Sequence, residues 1–404
     1  MINEDKAVNH ILFFTRICPF PPYGGEKIRS IELIKLLSKV AQRVSVLMPQ
    51  RPDSAAYHFD ENIHFVLIPE KERNKLETIV HNRTSIFIKE PALLKKIEEI
   101  HAQNRIQIAV IDYGFLGQYI SFFKRLGIPK VIYGTHNAQS ALTLQHKKAS
   151  IFGNLDQFIK FCLQNIHERK YFKLSDHLLC VSEEDAAFHA SLIDPFKIMV
   201  LPNFIDEDVY DFGPLPKSQR KKTFIMTANF LSFQNSEGAK WFIREVWDQS
   251  LSDEYQLLLI GLGSKEFLKN FSDKDFEPQN CQAKGEISDL KPLLAESICA
   301  VVPLLHGSGS RLKVLEAMAL GTPLVSTNVG AEGIEHNGYI HTADQAVTFR
   351  RQMHEVVQLN EEQYSMLCTS LKTAYLNKYS HQANLKLFKN LIQKDEKAKL
   401  KASS

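Results

Sequence analysis

The chain has 404 residues, which is too long for one ordinary hydrophobic core and suits two domains. Its net charge of +3 is spread without a concentrated basic stripe, which argues against a nucleic-acid-binding protein. Six cysteines lack the spacing of a zinc site or a disulfide framework, so we expect reduced thiols in a cytoplasmic protein. No apolar run reaches the roughly 18 to 20 residues of a membrane span, so any membrane association is expected to be peripheral, at the inner face.

Apolar runs rich in β-branched residues alternate with helical patterns along both halves of the chain. The first half contains HILFFTR, VSVLMP, IHFVLIP, IQIAVIDY, KVIYGTH, HLLCVS and KIMVLP, and the second contains TFIMTA, YQLLLIG, ICAVVPL and PLVST. This alternation predicts an α/β fold with parallel sheets and crossover helices. Two prolines and a glycine in the polar segment 206–222 predict the boundary between domains. The predicted division is 1–208, a linker 209–222, a second domain 223–378, and a C-terminal helix with its tail, 379–404.

A glycine loop, PFPPYGGEKIRS, follows the first predicted strand and precedes a helix. Open α/β sheets bind ligands at the carboxyl ends of their strands, where this loop lies. Gly24 and Gly25 carry no Cβ and would let the backbone approach a phosphate, and Arg29 is placed to reach an anion. The same letters are also ordinary turn chemistry, and the residues alone leave both interpretations open.

Two further strands end in polar side chains. Asp112 ends IQIAVIDY, and His136 and Asn137 close KVIYGTHN. A lone histidine is more often a satisfied core residue than a catalytic group, and an acid at a strand end often caps the next helix. Binding roles and structural roles therefore both remain open here.

The stretch from Leu155 to Leu174 is amphipathic, with basic residues among aromatic and aliphatic ones. It could lie on a membrane surface. The alternative is a crossover helix that packs on the sheet with a basic outer face, and the pattern favours this alternative.

In the second half, Asn235 follows the run TFIMTANFLSF. It is expected either to contact a ligand or to cap a helix starting at Ser236.

The stretch HGSGSRLKVLEAMALGTPLVSTNVGAEG, 306–333, places a glycine-rich turn before a basic helix start. Free amides and the partial positive charge at a helix N-terminus attract anions. Arg311 and Lys313 would add full charges, enough to neutralise a diphosphate without a metal. Glu316, one turn beyond Lys313, could accept hydrogen bonds from a ribose diol. The predicted turn consists of Gly307, Ser308, Gly309 and Ser310, with Ser310 as the helix cap.

Two acidic triplets, 206–208 and 273–275, mimic a metal-binding motif. Both lie in polar, loop-like stretches, and a metal needs ligands that converge on one cation. We therefore predict solvated charge and no metal site.

The 306–333 stretch, together with the glycine loop and the IRSIELIKLLS helix, resembles the donor site of retaining glycosyltransferases of family 4, also called glycosyl transferases group 1. That family has the GT-B architecture, two Rossmann-like domains facing a cleft. Its usual signature is a Glu, seven residues and a second Glu. Glu316 matches the second acid, and Ser308 stands at the first. The chain therefore looks like a subgroup in which a Gly/Ser turn replaces the first acid.

The resemblance implies roles for specific residues. Arg311 and Lys313 would hold the donor diphosphate and act in catalysis, and His136 would act near the donor sugar and the acceptor. Arg29, Asp112 and Asn137 would lie on the acceptor side. A C-terminal helix starting near Tyr379 would cross back to the first domain. The remaining donor-binding candidates are Gly24, Gly25, Asn235, Gly285, Glu286, Ile287, Gly307, Ser308, Gly309, Ser310 and Glu316, with the backbone of 285–287 holding the edge of the base.

The implied function is transfer of a sugar from a nucleotide-diphosphate-sugar to a saccharide or lipid-linked acceptor hydroxyl, with retention at the anomeric carbon. The family acts in polysaccharide, lipid-linked oligosaccharide and glycolipid assembly. No cofactor, metal or nucleic-acid partner is expected. Two alternatives remain. One is a sugar-nucleotide epimerase on the same scaffold, which the missing acid at Ser308 disfavours. The other is a catalytically weak nucleotide-sugar-binding regulatory subunit, which the missing acid favours.

Overall fold

The computed structural model of the protein describes residues 6–21, 25–50, 59–69, 90–112, 115–136, 151–210, 213–271, 277–307 and 311–402. These residues form two compact units. The first runs up to Asn203 and resumes at Asn384, and the second is Phe204–Ala383.

Within the described residues, the first unit has a seven-stranded sheet in the order β3-β2-β1-β4-β5-β6-β7, with every neighbouring pair parallel. Parallel neighbours need crossover connections, which agrees with the alternating pattern of the sequence. The strands are β1 (Val8–Phe14), β2 (Ala41–Pro49), β3 (Ile63–Ile68), β4 (Ile108–Asp112), β5 (Lys130–Gly134), β6 (His177–Cys180) and β7 (Ile198–Val200).

Helices cover this sheet because its central strands are apolar on both faces. Strand residues such as Phe14 and Ile111 share one core with helix residues such as Ile97 and Phe123. The described helices are α1 (Gly25–Ser38), α2 (Pro91–Gln103), α3 (Ile120–Arg125), α4 (Ile151–Leu174) and α5 (Glu183–Ala190).

The second unit repeats the design with a six-stranded parallel sheet, in the order β10-β9-β8-β11-β12-β13, among the described residues. The strands are β8 (Lys221–Thr227), β9 (Gln256–Ile260), β10 (Cys281–Gly285), β11 (Ser297–Val302), β12 (Leu324–Ser326) and β13 (His341–Thr342). The helices that follow are α6 (Phe233–Trp241), α7 (Gln249–Ser252), α8 (Ser264–Phe271), α9 (Lys291–Glu296), α10 (Leu312–Ala319), α11 (Ala346–Gln358), α12 (Glu361–Lys378) and α13 (His381–Ala402).

The polar segment predicted as a linker is packed against the second unit. Lys217 Nζ donates to the carbonyls of Val357 and Leu359, both at 2.6 Å. Arg220 is buried, and its guanidinium donates to the carbonyls of Ala295, Ser297 and Gly321. The second unit begins at Phe204, before the predicted linker. The segment belongs to this unit because its polar side chains donate hydrogen bonds to the unit's backbone carbonyls.

The two ends of the second unit are joined to each other. Ile205 forms a bridge with Ser380, and the hydroxyl of Tyr375 donates to the Ile205 carbonyl at 2.8 Å. The carboxylate of Glu207 accepts the first backbone N–H groups of α13, from His381 and Gln382. This member of the 206–208 triplet therefore acts as a helix cap rather than as solvated charge.

The long helix α4 differs from its prediction. Among the described side chains, its outward side is apolar from Leu155 to Ile166 and basic only near its C-terminal end, whereas a basic outer face was expected. Among the described helices, none combines the length and apolarity needed to cross a bilayer.

Candidate functional site

The second unit gathers its candidate residues at the carboxyl ends of β8, β11 and β12. Gly307 follows β11 with a φ of +117°, and a Cβ there would lie 2.7 Å from Oε1 of Gln234. Only glycine fits this position without a shift. Helix α10 begins at Leu312, so Arg311 occupies the N-cap position, with extended backbone. The N-cap is therefore Arg311, one residue after the predicted cap Ser310.

Arg311 is largely buried, with 10% of its side chain exposed. Its Nε donates to the carbonyl of Val329 at 3.3 Å, and its Nη2 lies 3.8 Å from the Glu332 carboxylate, which is 49% exposed. Burial lowers the pKa of Arg311, and the charge of Glu332 opposes that effect. A guanidinium stays charged in either case, so this cation faces an acid that solvent can reach.

Lys313 is bonded to a neutral partner. Its Nζ donates to Oδ1 of Asn235 at 3.1 Å, and the amide of Asn235 donates to the carbonyl of Asn229 at 2.9 Å. Burial, followed by the charge of Arg311, lowers the pKa of Lys313 to about 8, against the attraction of Glu316. Because α6 begins at Phe233 after Ser232, the expectation that Asn235 caps a helix at Ser236 is wrong.

Glu316 accepts a hydrogen bond at Oε1 from the Tyr210 hydroxyl, at 2.9 Å. The ammonium of Lys291 lies 5.9 Å from the centre of the Tyr210 ring. Burial raises the pKa of Glu316, while the Tyr210 bond and the charges of Lys313 and Lys291 pull it down; the net shift is upward. The sequence analysis missed Tyr210 because it lies in the presumed linker. An aromatic residue in that polar segment was the available signal.

The predicted base-binding residues lie at the end of β10. Gly285 has a φ of +78°, its N–H donates to Oγ of Ser264 at 2.9 Å, and its carbonyl accepts from the N–H of Gly261 at 2.8 Å. Glu286 is exposed and Ile287 is half-buried. The role of these three residues in base binding stays a prediction.

The first unit brings a second cluster together at the carboxyl ends of β4 and β5. Asp112 is fully buried and accepts hydrogen bonds from the Ser30 hydroxyl and from Nε2 of His136, the latter at 2.8 Å. Burial alone would raise the pKa of Asp112, but the charge and hydrogen bond of His136, the Ser30 bond and the charge of Arg29 bring it below its usual range. Asp112 is therefore a carboxylate that orients the His136 ring.

Arg29 differs from its prediction as an anion contact on the acceptor side. It is 2% exposed, and its Nη1 donates to the carbonyls of Leu201 and Pro202 and to Oδ1 of Asn203. Burial lowers the pKa of Arg29 to about 10, against the attraction of Asp112. Its physical role is to hold the loop after β7, since the helix turns its side chain inward beneath that loop. Of the two glycines in the PFPPYGGEKIRS loop, Gly25 lies within the described residues, and it begins α1.

Several predicted residues lie outside the described ranges. They are Gly24, Asn137, Ser308, Gly309, Ser310 and the 273–275 triplet. Within the described ranges, no group of three or more His, Cys, Asp or Glu side chains could hold a metal ion.

Comparison with known proteins assigns the second unit to a family. Residues 221–358 match the family described as Glycosyl transferases group 1. The chain is 21% identical to a probable sucrose-phosphate synthase of Thermosipho melanesiensis, over 97% of this chain and 95% of that protein. It is 22% identical to the UDP-Gal:alpha-D-GlcNAc-diphosphoundecaprenol alpha-1,3-galactosyltransferase of Escherichia coli, over 75% of this chain and 79% of that protein.

The solved structure of sucrose-phosphate synthase from Thermosynechococcus elongatus matches the chain with a TM-score of 0.69 at 14% identity, covering 98% of this chain and 100% of that one. The fold class predicted from the sequence, two parallel-sheet α/β units of GT-B type, is thereby confirmed. Residues 221–358 form a glycosyl transferases group 1 domain, and the protein is a glycosyltransferase with the GT-B fold.

Proposed function

We propose that the protein transfers a sugar from a nucleotide-diphosphate-sugar to an acceptor hydroxyl, with retention of anomeric configuration and without a divalent metal. The observation that carries the proposal is the pair of cations, Arg311 and Lys313, at the start of α10, close to Gly307 with its positive φ. This pair lies inside the glycosyl transferases group 1 domain.

The donor diphosphate takes the place of the present partners of these cations. A phosphate oxygen replaces the exposed Glu332 carboxylate at Arg311, and a second replaces the amide oxygen of Asn235 at Lys313. At Lys313 the ammonium exchanges a neutral amide oxygen for an anionic phosphate oxygen and so gains an ion pair, which favours the ligand. Glu316 holds the ribose diol with the carboxylate that Tyr210 orients.

No metal is required in this scheme because two side-chain cations and the helix amides neutralise the leaving phosphate as its charge develops. The leaving phosphate also acts as the base for the acceptor hydroxyl, which attacks from the face that the phosphate leaves. Double displacement would need a carboxylate beneath the anomeric carbon, and Ser308 stands where the family signature has its first acid.

His136 orients sugar hydroxyls. The ionised Asp112 accepts from Nε2, which places a proton on that nitrogen and fixes the orientation of the ring. The name of the E. coli relative gives galactose transfer from UDP-Gal to alpha-D-GlcNAc-diphosphoundecaprenol, which supports a UDP-sugar donor and a lipid-linked or saccharide acceptor in glycan assembly.

The test combines a panel of nucleotide-sugars with saccharide and lipid-linked acceptors, in the presence of a chelator. We expect one donor to raise the melting temperature, since a ligand that binds the folded state stabilises it. We expect release of nucleoside diphosphate only when an acceptor is present, and a product with the donor's anomeric configuration by proton NMR.

The other outcomes separate the alternatives. Donor binding without release in the presence of any acceptor would identify a regulatory binding subunit, and conversion of the donor alone would identify an epimerase. Activity lost on chelation and restored by magnesium or manganese would contradict the metal-free scheme. A covalent sugar adduct on an Asp or Glu would contradict the single-site displacement.

A further inference from the structure

Before its last turns, helix α4 buries polar residues and exposes apolar ones. Its inner side carries the buried Gln164, His167 and Glu168, followed by the buried Phe172. Its outer side exposes large apolar side chains by between 42% and 63%, namely Leu155, Phe158, Ile159, Leu163 and Ile166. Burial of apolar surface drives folding, so a helix that only covered the sheet would have the opposite arrangement. Folding of the first unit therefore does not account for this outward side.

The outward side is continuous and changes character along the helix. Leu155, Ile159 and Ile166 follow one another at spacings of four and seven residues, which places them on one stripe. The stripe continues in the last turns with the exposed cations Arg169, Lys170 and Lys173. Among the described side chains of this stripe there is no carboxylate. We call this surface the α4 face and define it by eight exposed residues, namely Leu155, Phe158, Ile159, Leu163, Ile166, Arg169, Lys170 and Lys173.

A neighbouring turn adds one more apolar group beside the cationic end. Lys197 Nζ donates to the carbonyls of Lys173 and Ser175, both at 3.0 Å, which fixes the turn Pro195–Lys197 at the end of α4. Phe196 in that turn is 95% exposed. An aromatic side chain so exposed gains nothing from the folded chain around it.

We propose that the α4 face binds an anionic lipid surface. The apolar side chains enter the interface between headgroups and acyl chains, and the three cations pair with headgroup phosphates. A second copy of the chain fits the surface less well. In a twofold contact the cationic end would meet either its own like charges or the partner's apolar end, and neither is complementary. The binding does not depend on the proposed transfer reaction.

The first test is sedimentation of the full chain with vesicles. We expect binding to vesicles of phosphatidylcholine mixed with phosphatidylglycerol, weaker binding to phosphatidylcholine alone, and a loss of the difference at high salt. The double variant Ile159→Ser/Ile166→Ser should bind at least about tenfold more weakly, since two buried side chains are removed from the interface. The matched control is Val347→Ser/Met366→Ser, two apolar residues on helices of the second unit that are more exposed than Ile159 and Ile166.

The second test removes charge. Arg169→Gln/Lys173→Gln should weaken binding to the anionic vesicles by about tenfold or more, and Lys95→Gln/Lys269→Gln, exposed cations elsewhere, should not. The proposal is overturned if the unaltered protein ignores anionic vesicles, or if either test pair behaves like its control. A wild-type dimer in gel filtration that Ile159→Ser/Ile166→Ser makes monomeric, without vesicle binding, would assign the face to a second copy instead.

Discussion

The carboxyl ends of the strands carry an arginine in both units, and the two arginines are used differently. Arg29 is buried and donates to two backbone carbonyls and a side-chain amide of its own unit. Arg311 is also largely buried, but it faces Glu332, whose side chain is 49% exposed. The partners of Arg29 cannot leave without opening the fold, whereas the Glu332 side chain is exposed to solvent and lies 3.8 Å from Arg311 Nη2. The difference indicates a structural role for Arg29 and agrees with the ligand-binding role proposed for Arg311.

Replacing Arg29 tests its structural role. Arg29→Ala removes a charged donor from three acceptors and a nearby cation from the buried Asp112, so we expect the free energy of unfolding to fall by about 3 kcal/mol or more. Urea unfolding followed by circular dichroism measures it, with the exposed Arg105→Ala as control. A loss no larger than that of the control would mean that Arg29 is not structural.

Replacing His136 should affect rate. In His136→Ala the buried Asp112 keeps its Ser30 bond and the charge of Arg29, so we expect folding to survive while turnover falls roughly a hundredfold. Steady-state kinetics with the donor that the nucleotide-sugar panel selects measures kcat and KM. The control is His354→Ala in the second unit. Near-normal turnover would return His136 to the role of a satisfied core histidine.

Replacing Arg311 or Lys313 in the second unit tests the proposed binding of the diphosphate. Arg311→Ala and Lys313→Ala should each weaken binding of the nucleoside diphosphate by about 1.5 to 3 kcal/mol, roughly ten- to 150-fold, through loss of a charge-assisted contact. Titration calorimetry with UDP measures the affinity, and exposed Lys269→Ala is the control. If both variants bind as tightly as the unaltered protein, the diphosphate site lies elsewhere.

The pH dependence of binding should distinguish the two cations. Lys313, with a pKa lowered to about 8, loses its proton as pH rises through that value, while a phosphate partner would keep it protonated. Affinity should therefore be full below pH 8 and fall by up to about tenfold per pH unit above it. The same titration on Lys313→Ala should be flat over that range, and a slope that persisted there would belong to another group.

The smallest expected effect concerns Tyr210. Tyr210→Phe keeps the ring and removes the hydroxyl that holds Glu316, which should weaken donor binding by about 0.5 to 1.5 kcal/mol. Because that bond lowers the pKa of Glu316, its loss raises the pKa further, and the decline of affinity on acidification should begin at a higher pH. Tyr339→Phe is the control. An unchanged acid limb would mean that Tyr210 does not act through Glu316.

The sequence was sufficient for the architecture because parallel sheets leave a strong pattern. Runs such as IQIAVIDY and ICAVVPL became β4 and β11, and their terminal residues met at the expected sheet edges. Contacts made by polar side chains were harder to predict. Tyr210, Lys217 and Arg220 looked like a solvated linker because composition does not reveal which carbonyls a polar residue will reach.

The same limit applies to burial of single side chains. Arg29 was expected at an anion because its charge is visible in the sequence, while the loop that covers it is distant along the chain. The helical pattern of α4 was recognised, but periodicity fixes only the spacing of a stripe. Which side of the helix faces the sheet depends on packing partners that the pattern does not name.

Because the two ends of the second unit are adjacent, this unit is suited to expression as a separate fragment. Ile205 and Ser380 pair, and Glu207 caps the helix through which the chain leaves, so this unit is an insertion whose start and finish meet at one point. An insertion with adjacent ends can be removed or moved with little disturbance, because a short linker can join the two chain ends that remain. Residues 204–383 are thus the natural fragment to express alone, and one in which the chemistry of Arg311 and Lys313 can be studied apart from His136.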